Sequence, residues 1–381
     1  MGSLYPKGNK IYLSFQDASG KWRARSSGLP VGEEKRAMKM LEAIEGKISA
    51  GARLGSRHSE VTVEVYAAQW IRDRESHGIA SAKDDESRIR LHILPEFGSV
   101  AMTSVRPHHL RDLVRGLRSK TSAKNEPLAP RSIRHVYAIT RRMFQDAVVD
   151  ELIDTTPCVL KQHDLPKKID KDPTFRANAT FTRDELVRIT TDRRVPDDRR
   201  MLYGLMGIGA MRFGEAAARR WRDYDTDTEP LGRMVIASSF DVKSHREKAT
   251  KTQSPRAMPV HQTLCEMLMA WKEDGWAQLM SRRPNPDDLI VPSVKGRFRN
   301  VNHSLRQFHK DLDALGFRRR RQHDLRRTFI TLARAGGARP DILRWATHGP
   351  TGDIVDIYTS MPWESLCEAV AYLKVDFREA S

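Results

Sequence analysis

The chain has 381 residues, 39% of them hydrophobic, which is more than one core usually organises and predicts two or three domains. Its 66 Lys and Arg against 49 Asp and Glu leave a formal net charge of +17. That excess favours a polyanionic partner such as nucleic acid, although charge carried for solubility alone would look the same. No apolar run is long enough for a membrane span, and residues 1–10 lack a secretory hydrophobic stretch. Cys158, Cys265 and Cys367 are too scattered for a disulfide framework or a zinc site, so an intracellular protein is expected.

The first block, 1–59, carries two short strands at 10–15 (KIYLSF) and 21–27 (KWRARSS). Residues 16–20 between them have turn composition, so a hairpin is expected. Met38, Leu41, Ile44 and Ile48 then recur at helical spacing. Such a β-β(-β)-α unit has a very small core. Its Tyr12, Trp22, Arg23 and Arg25 can face a DNA groove, or the unit can be an ordinary packing module.

The second block, 60–157, reads as entirely helical. A helix starts at Thr62 with Val65, Trp70 and Ile71 among its apolar positions, and another spans 84–93 before Pro95 and Gly98. Pro107 suits the first turn of a third helix. The longest begins near Pro130 and places Ile133, Val136, Tyr137, Met143, Phe144, Ala147 and Val148 on one stripe. Arg131, Arg134, Arg141 and Arg142 fall largely off that stripe. They can grip a duplex or be simply solvated. A lysine-rich segment, 158–180, contains Pro166 and Pro173 and reads as an extended basic linker.

The third block, 181–381, opens with Thr182-Arg183-Asp184-Glu185, the form of a capping box. Arg212 follows the apolar run 201–208, with Glu215 three residues on and able to orient it. Strands are expected at 234–238 and 256–260, with Lys248 and Lys251 between them. His323 and Arg326 share one face of a helix that begins near Gln322. The neighbouring run Arg318, Arg319, Arg320, Arg321 suggests phosphate contacts. A turn at Thr347-His348-Gly349 precedes Tyr358, and an apolar stripe over 363–373 borders Tyr372.

The order Arg212, Lys251, His323-x-x-Arg326, His348, Tyr358 resembles the signature of the tyrosine recombinases, the phage integrase family. The resemblance extends over the whole third block. The second block is similar to the family's helical, SAM-like core-binding domain, and the first to the arm-binding domain of three-domain integrases of phages and integrative elements. Arg327 stands where many members have a second histidine, and Ala346-Thr347 replaces the usual Leu-Gly before His348. The resemblance implies a mainly α multidomain protein with small β-sheets and a mixed α+β catalytic domain at 181–381.

Two guanidiniums suit the charge that builds on a phosphodiester under attack, which gives Arg212 and Arg326 that task. Tyrosine, with an ordinary pKa near ~10, needs help to lose its proton. The resemblance makes Tyr358 the nucleophile and His323 its proton acceptor. It gives Lys251 the departing 5′-oxygen, His348 a non-bridging oxygen, and Glu215 a supporting place. Tyr372 reads as packing. A 3′-phosphotyrosyl link conserves bond energy, so neither a nucleotide cofactor nor a metal is expected. By resemblance the partners are double-stranded attachment-site DNA, three further copies in a tetramer linked by the C-terminal tail, a host DNA-bending protein and an excisionase. The setting would be the bacterial cytoplasm or nucleoid. A type IB topoisomerase and a catalytically silent DNA-binding regulator are the competing functions.

Overall fold

The computed structural model describes residues 2–16, 20–49, 61–121, 125–167, 174, 178–241, 246–249, 255–350, 356 and 358–376. The chain divides into two compact units, Met1–Pro173 and Thr174–Ser381.

The first unit begins with an antiparallel sheet of β1 (Ser3–Lys7), β2 (Lys10–Gln16) and β3 (Trp22–Pro30), followed by α1 (Glu34–Ser49). Strand alternation turns Ile11, Leu13 and Phe15 to one side, where they bury against Ala37 and Leu41 of α1. Met38 does not join that core and is exposed; Ala37, one turn before Leu41, takes its place. Trp22, Arg23 and Arg25 are exposed on β3.

The helical part comprises α2 (Val63–Ser76), α3 (Ala82–Arg88), a π-helical turn (Ile89–Ile93), α4 (Leu94–Phe97), α5 (Pro107–Ser119) and α6 (Pro130–Val149). Thr62 caps α2 by accepting from the Val65 N–H. Val63, Trp70 and Ile71 are buried, but Val65 is 58% exposed and lies off the core face. Pro95 does not end the helical run before it. It removes the N–H that would bond the Leu91 carbonyl, and Lys120 Nζ donates to that carbonyl instead at 2.8 Å. Trp70 Nε1 donates to Asp146 of α6 and Tyr66 Oη to Asp150, the residue that caps α6, both at 2.6 Å, which fixes the packing of α2 on α6. The supposed linker is part of this core at its start, for Cys158, Leu160 and Leu165 pack against the helices. Residues 168–173 and 175–177 lie outside the described residues.

The second unit has one large core. Its helices are α7 (Arg183–Thr191), α8 (Asp197–Gly207), α9 (Phe213–Ala218), α10 (Gln262–Ala270), α11 (Trp276–Met280), α12 (Val301–Ala314), α13 (His323–Gly336), α14 (Pro340–His348) and α15 (Trp363–Ala371). The Thr182–Glu185 capping box forms as the sequence predicts. A sheet of β4 (Tyr224–Asp225), β5 (Arg233–Ile236) and β8 (Arg256–Pro259) flanks the helices. A separate antiparallel pair, β6 (Ser238–Asp241) with β7 (Arg246–Ala249), is inserted between β5 and β8. At Gly214 a β-carbon would lie 2.5 Å from Ser239 Oγ and 2.7 Å from the Phe240 carbonyl, so β6 lies directly on α9.

The tail packs on its own subunit. Leu366, Ala369, Val370, Leu373 and Val375 are buried in the main core, and Thr263 Oγ donates to the Val375 carbonyl at 2.6 Å. A β-carbon at Gly336 would lie 2.0 Å from the Tyr372 carbonyl oxygen. Residues 363–376 thus pack in cis against the second unit's core, and 377–381 lie outside the described residues.

Candidate active site

Glu215 is the centre of the site, with a carboxylate only 2% exposed. Oε1 accepts from Arg212 Nη1 at 2.7 Å and from Arg256 Nη1 at 3.1 Å. Oε2 accepts from Arg256 Nη2 at 2.7 Å, from the Arg212 backbone N–H at 2.9 Å, and from Arg326 Nη1 at 3.5 Å. One buried carboxylate thus collects three guanidiniums from α9's N-terminus, β8 and α13. Burial alone would raise its pKa, but the bonds from Arg256 and Arg212 and the charge of Arg326 outweigh that and bring it to about 2.

The two arginines expected to meet a phosphate differ in access. The Arg212 side chain is 37% exposed, while that of Arg326 is 2% exposed. Arg326 bonds the Ala210 carbonyl through Nη1 and the Thr347 carbonyl through Nη2, the latter at 2.6 Å. Ala210, between the end of α8 and Arg212, has φ of 48°, in the left-handed region. Burial lowers the Arg326 pKa to about 9, with Glu215 opposing the shift, so the guanidinium stays charged at neutral pH.

His323 opens α13 and His348 closes α14; both are exposed at the surface. The covered part of the His323 ring, followed by the charge of Arg326, lowers its pKa. The covered part of the His348 ring, followed by the charges of Arg326, Arg212 and Arg256, brings its pKa to about 4. Both shifts favour the neutral imidazole in the free protein, and a neutral ring can accept a proton.

Tyr358 is 84% exposed. Arg344 of α14 steadies the chain just before it, donating through both terminal nitrogens to Asp356 at 3.1 Å each. Lys251 lies outside the described residues, two positions beyond the end of β7. Tyr372 is partly buried with its hydroxyl donating to Glu368 at 3.3 Å, as its packing role predicts.

The sequence reading missed Arg256, Arg219, Thr347 and the Arg344–Asp356 pair. Arg256 had one signal: strand alternation puts it on the same inward side as Met258, an unusual place for a charge. Arg219 is fully buried and donates to the Glu215 carbonyl at 3.0 Å and the Ser238 carbonyl at 2.7 Å, tying α9 to β6. Of the predicted phosphate-binding run, Arg318, Arg319 and Arg321 are exposed. Arg320 is not: it is buried, bonds both Glu185 oxygens and stacks 4.2 Å over Phe181. On α6, Arg131, Arg141 and Arg142 are exposed, whereas Arg134 is half-buried and donates to the Pro166 carbonyl at 2.6 Å.

No family model matches the chain. It is 26% identical over 285 residues to an integrase of Mycobacterium phage D29, covering 74% of this chain and 69% of that one. It is also 26% identical over 332 residues to a putative prophage phiRv2 integrase of Mycobacterium tuberculosis, covering 84% and 83%. A lambda integrase dimer bound to a COC′ core site superposes with a TM-score of 0.56 at 16% identity, covering 93% of both chains. The chain resembles the tyrosine recombinases. Lambda integrase has also been solved as a tetramer on a Holliday junction, with a TM-score of 0.57 at 16% identity, covering 92% of this chain and 96% of that one. The integrase likeness at the level of fold thus runs through both units of the chain. Among the described residues, no helix is long and apolar enough to cross a membrane.

Proposed function

We propose that the protein is a site-specific DNA recombinase that cleaves and rejoins DNA through a 3′-phosphotyrosyl intermediate, integrating or excising a mobile element. The observation that carries this reading is the cluster of Arg212, Arg256 and Arg326 on the single carboxylate of Glu215, with two histidines of lowered pKa beside it. Three cations and one anion leave a local excess of positive charge, which a phosphodiester would neutralise.

In this mechanism the scissile phosphate docks against Arg212, the accessible guanidinium, with Arg326 behind it. Tyr358 Oη attacks phosphorus and gives its proton to His323. Arg212, Arg326 and His348 balance the charge growing on the non-bridging oxygens. Lys251 protonates the 5′-oxygen as its bond to phosphorus breaks. A 5′-hydroxyl from the partner strand then attacks the phosphotyrosine, and the tyrosine leaves as it arrived. No nucleotide cofactor or metal enters these steps.

The DNA-bound form is a tetramer acting in the bacterial cytoplasm on attachment-site DNA, assisted by a DNA-bending host protein and an excisionase. The solved lambda integrase assemblies on DNA support this partner class. Residues 1–59 form the arm-binding domain, 60–157 the core-binding domain, and 181–381 the catalytic domain. Arg23, Arg25, Arg131, Arg141, Arg142, Arg318, Arg319 and Arg321 supply backbone contacts.

The test is a nicked duplex spanning the ends of the element that encodes the chain, incubated in EDTA with wild type and Tyr358→Phe. A covalent adduct formed by wild type and absent from the variant is expected. An adduct in both proteins would move the nucleophile to Tyr372. Specific binding with no adduct would return the protein to the class of silent regulators, and relaxation of any supercoiled plasmid without site preference to the type IB topoisomerases.

A further inference from the structure

Thr347 touches both a guanidinium and an imidazole of the site. Its carbonyl accepts from Arg326 Nη2 at 2.6 Å, and its hydroxyl oxygen lies 2.8 Å from His348 Nδ1. The residue is buried at the end of α14, in the position where the family resemblance leads one to expect glycine. A glycine there would supply the carbonyl but no hydroxyl.

A hydroxyl has one hydrogen to donate. The Leu343 carbonyl, one turn back, lies 2.7 Å from Thr347 Oγ, and the Arg344 carbonyl lies 3.4 Å away. Carbonyl oxygens only accept, so the hydroxyl hydrogen belongs to the shorter of these contacts. The Nδ1 contact is then filled from the other side, by an Nδ1–H donating into a hydroxyl lone pair. A neutral imidazole has a single N–H, which leaves Nε2 bare.

We infer that Thr347 is a positioning residue that fixes His348 as its Nδ1–H tautomer, so that Nε2 takes up a proton when a phosphodiester enters the site. The inference rests on the proposed phosphodiester chemistry. A bare Nε2 cannot donate to a phosphate oxygen, so it must first bind a proton from bulk water. Arg326, Arg212 and Arg256 oppose that proton in the free protein and Glu215 favours it. The incoming phosphate supplies negative charge and reverses the balance. The resulting imidazolium has both N–H groups placed, Nδ1–H on Thr347 and Nε2–H on the phosphate.

The experiment uses the full chain with ¹⁵N-labelled histidine, comparing wild type, Thr347→Ser and Thr347→Val, with His348→Gln to assign the signals. Wild type and Thr347→Ser should show a protonated Nδ1 and a bare Nε2 at neutral pH. Thr347→Val should show mixed tautomers and a lower His348 titration midpoint. Its neutral ring can move the hydrogen to Nε2, whereas its imidazolium must leave Nδ1–H without a partner. Cleavage of the nicked duplex should slow about tenfold in Thr347→Val and recover in Thr347→Ser. A wild-type ring protonated at Nε2 overturns the inference, as does a Thr347→Val spectrum identical to wild type. The wild-type spectrum decides this even if the valine variant does not fold. Failure of wild type to form any adduct would instead count against the recombinase reading, and the tautomer would still be judged by the spectrum.

Discussion

Arg256 donates to both oxygens of Glu215, at 3.1 and 2.7 Å, across 41 residues of sequence. Both side chains are almost wholly buried, so the pair cannot be broken without leaving a charge stranded. Arg256→Ala is expected to destabilise the second unit by about 3 kcal/mol. Arg256→Lys, which keeps the charge and loses the fork, should cost about 1 kcal/mol. Urea unfolding of the three proteins measures this, and equal midpoints would show that the pair does not matter.

Glu215 predicts an acid-sensitive fold. A carboxyl held at about 2 against an ordinary 4.5 adds stability that is fully present above 4.5. That contribution is lost as the pH falls toward 2. It amounts to about 3 kcal/mol at neutral pH. Glu215→Gln should flatten the stability curve between these limits. If the slope of wild type and variant is the same there, the carboxylate is not held as described.

Arg212 lowers the pKa of both His323 and His348, and it is the most accessible cation of the cluster. Arg212→Gln should therefore raise both midpoints toward the ordinary ~6.5 while the protein stays folded. Histidine titration by NMR reads this directly. In cleavage assays the same variant should be slower by about a hundredfold or more, because a transition-state donor is gone.

Gly336 sits against the Tyr372 carbonyl, where a methyl group would have 2.0 Å of room. Gly336→Ala should lift the segment after α15 and destabilise the unit by about 2 kcal/mol. Limited proteolysis should cut near Tyr372 faster in the variant than in wild type. An unchanged cleavage pattern would mean the tail is not seated in cis in solution.

Exposed and buried arginines should part company in a salt titration of DNA binding. Removing Arg141 or Arg319, both exposed, should weaken binding and reduce the salt slope by about 1 each. Arg320→Ala should leave the slope intact and lower stability, since its guanidinium bonds Glu185. A reduced slope for Arg320→Ala would place that side chain on DNA.

Much of this architecture was legible because its signals are local. The stripe Ile133, Val136, Tyr137, Met143, Phe144 and Ala147 on α6 is buried as its spacing predicts, and the Thr182–Glu185 box forms as written. Misreadings arose where local pattern and tertiary contact compete. Val65 and Met38 have apolar side chains but fall outside the buried face of their helices. Pro95 looks like a helix end, yet Lys120 from another helix satisfies the carbonyl it leaves open.

By itself the sequence determined which candidate residue types stand in order along the chain, from Arg212 through His323, Arg326 and His348 to Tyr358, and its short spacing put His323 and Arg326 on one helix. Only the tertiary structure decided that Arg256 completes the cluster, that Arg320 is withdrawn from the surface, and that Thr347 stands between Arg326 and His348. The physical reason is one of range. Periodicity and capping depend on residues within about one turn of each other, which sequence records. A buried charge takes whichever partner the fold brings to it, and Glu215 meets Arg256 across 41 residues and Arg326 across 111.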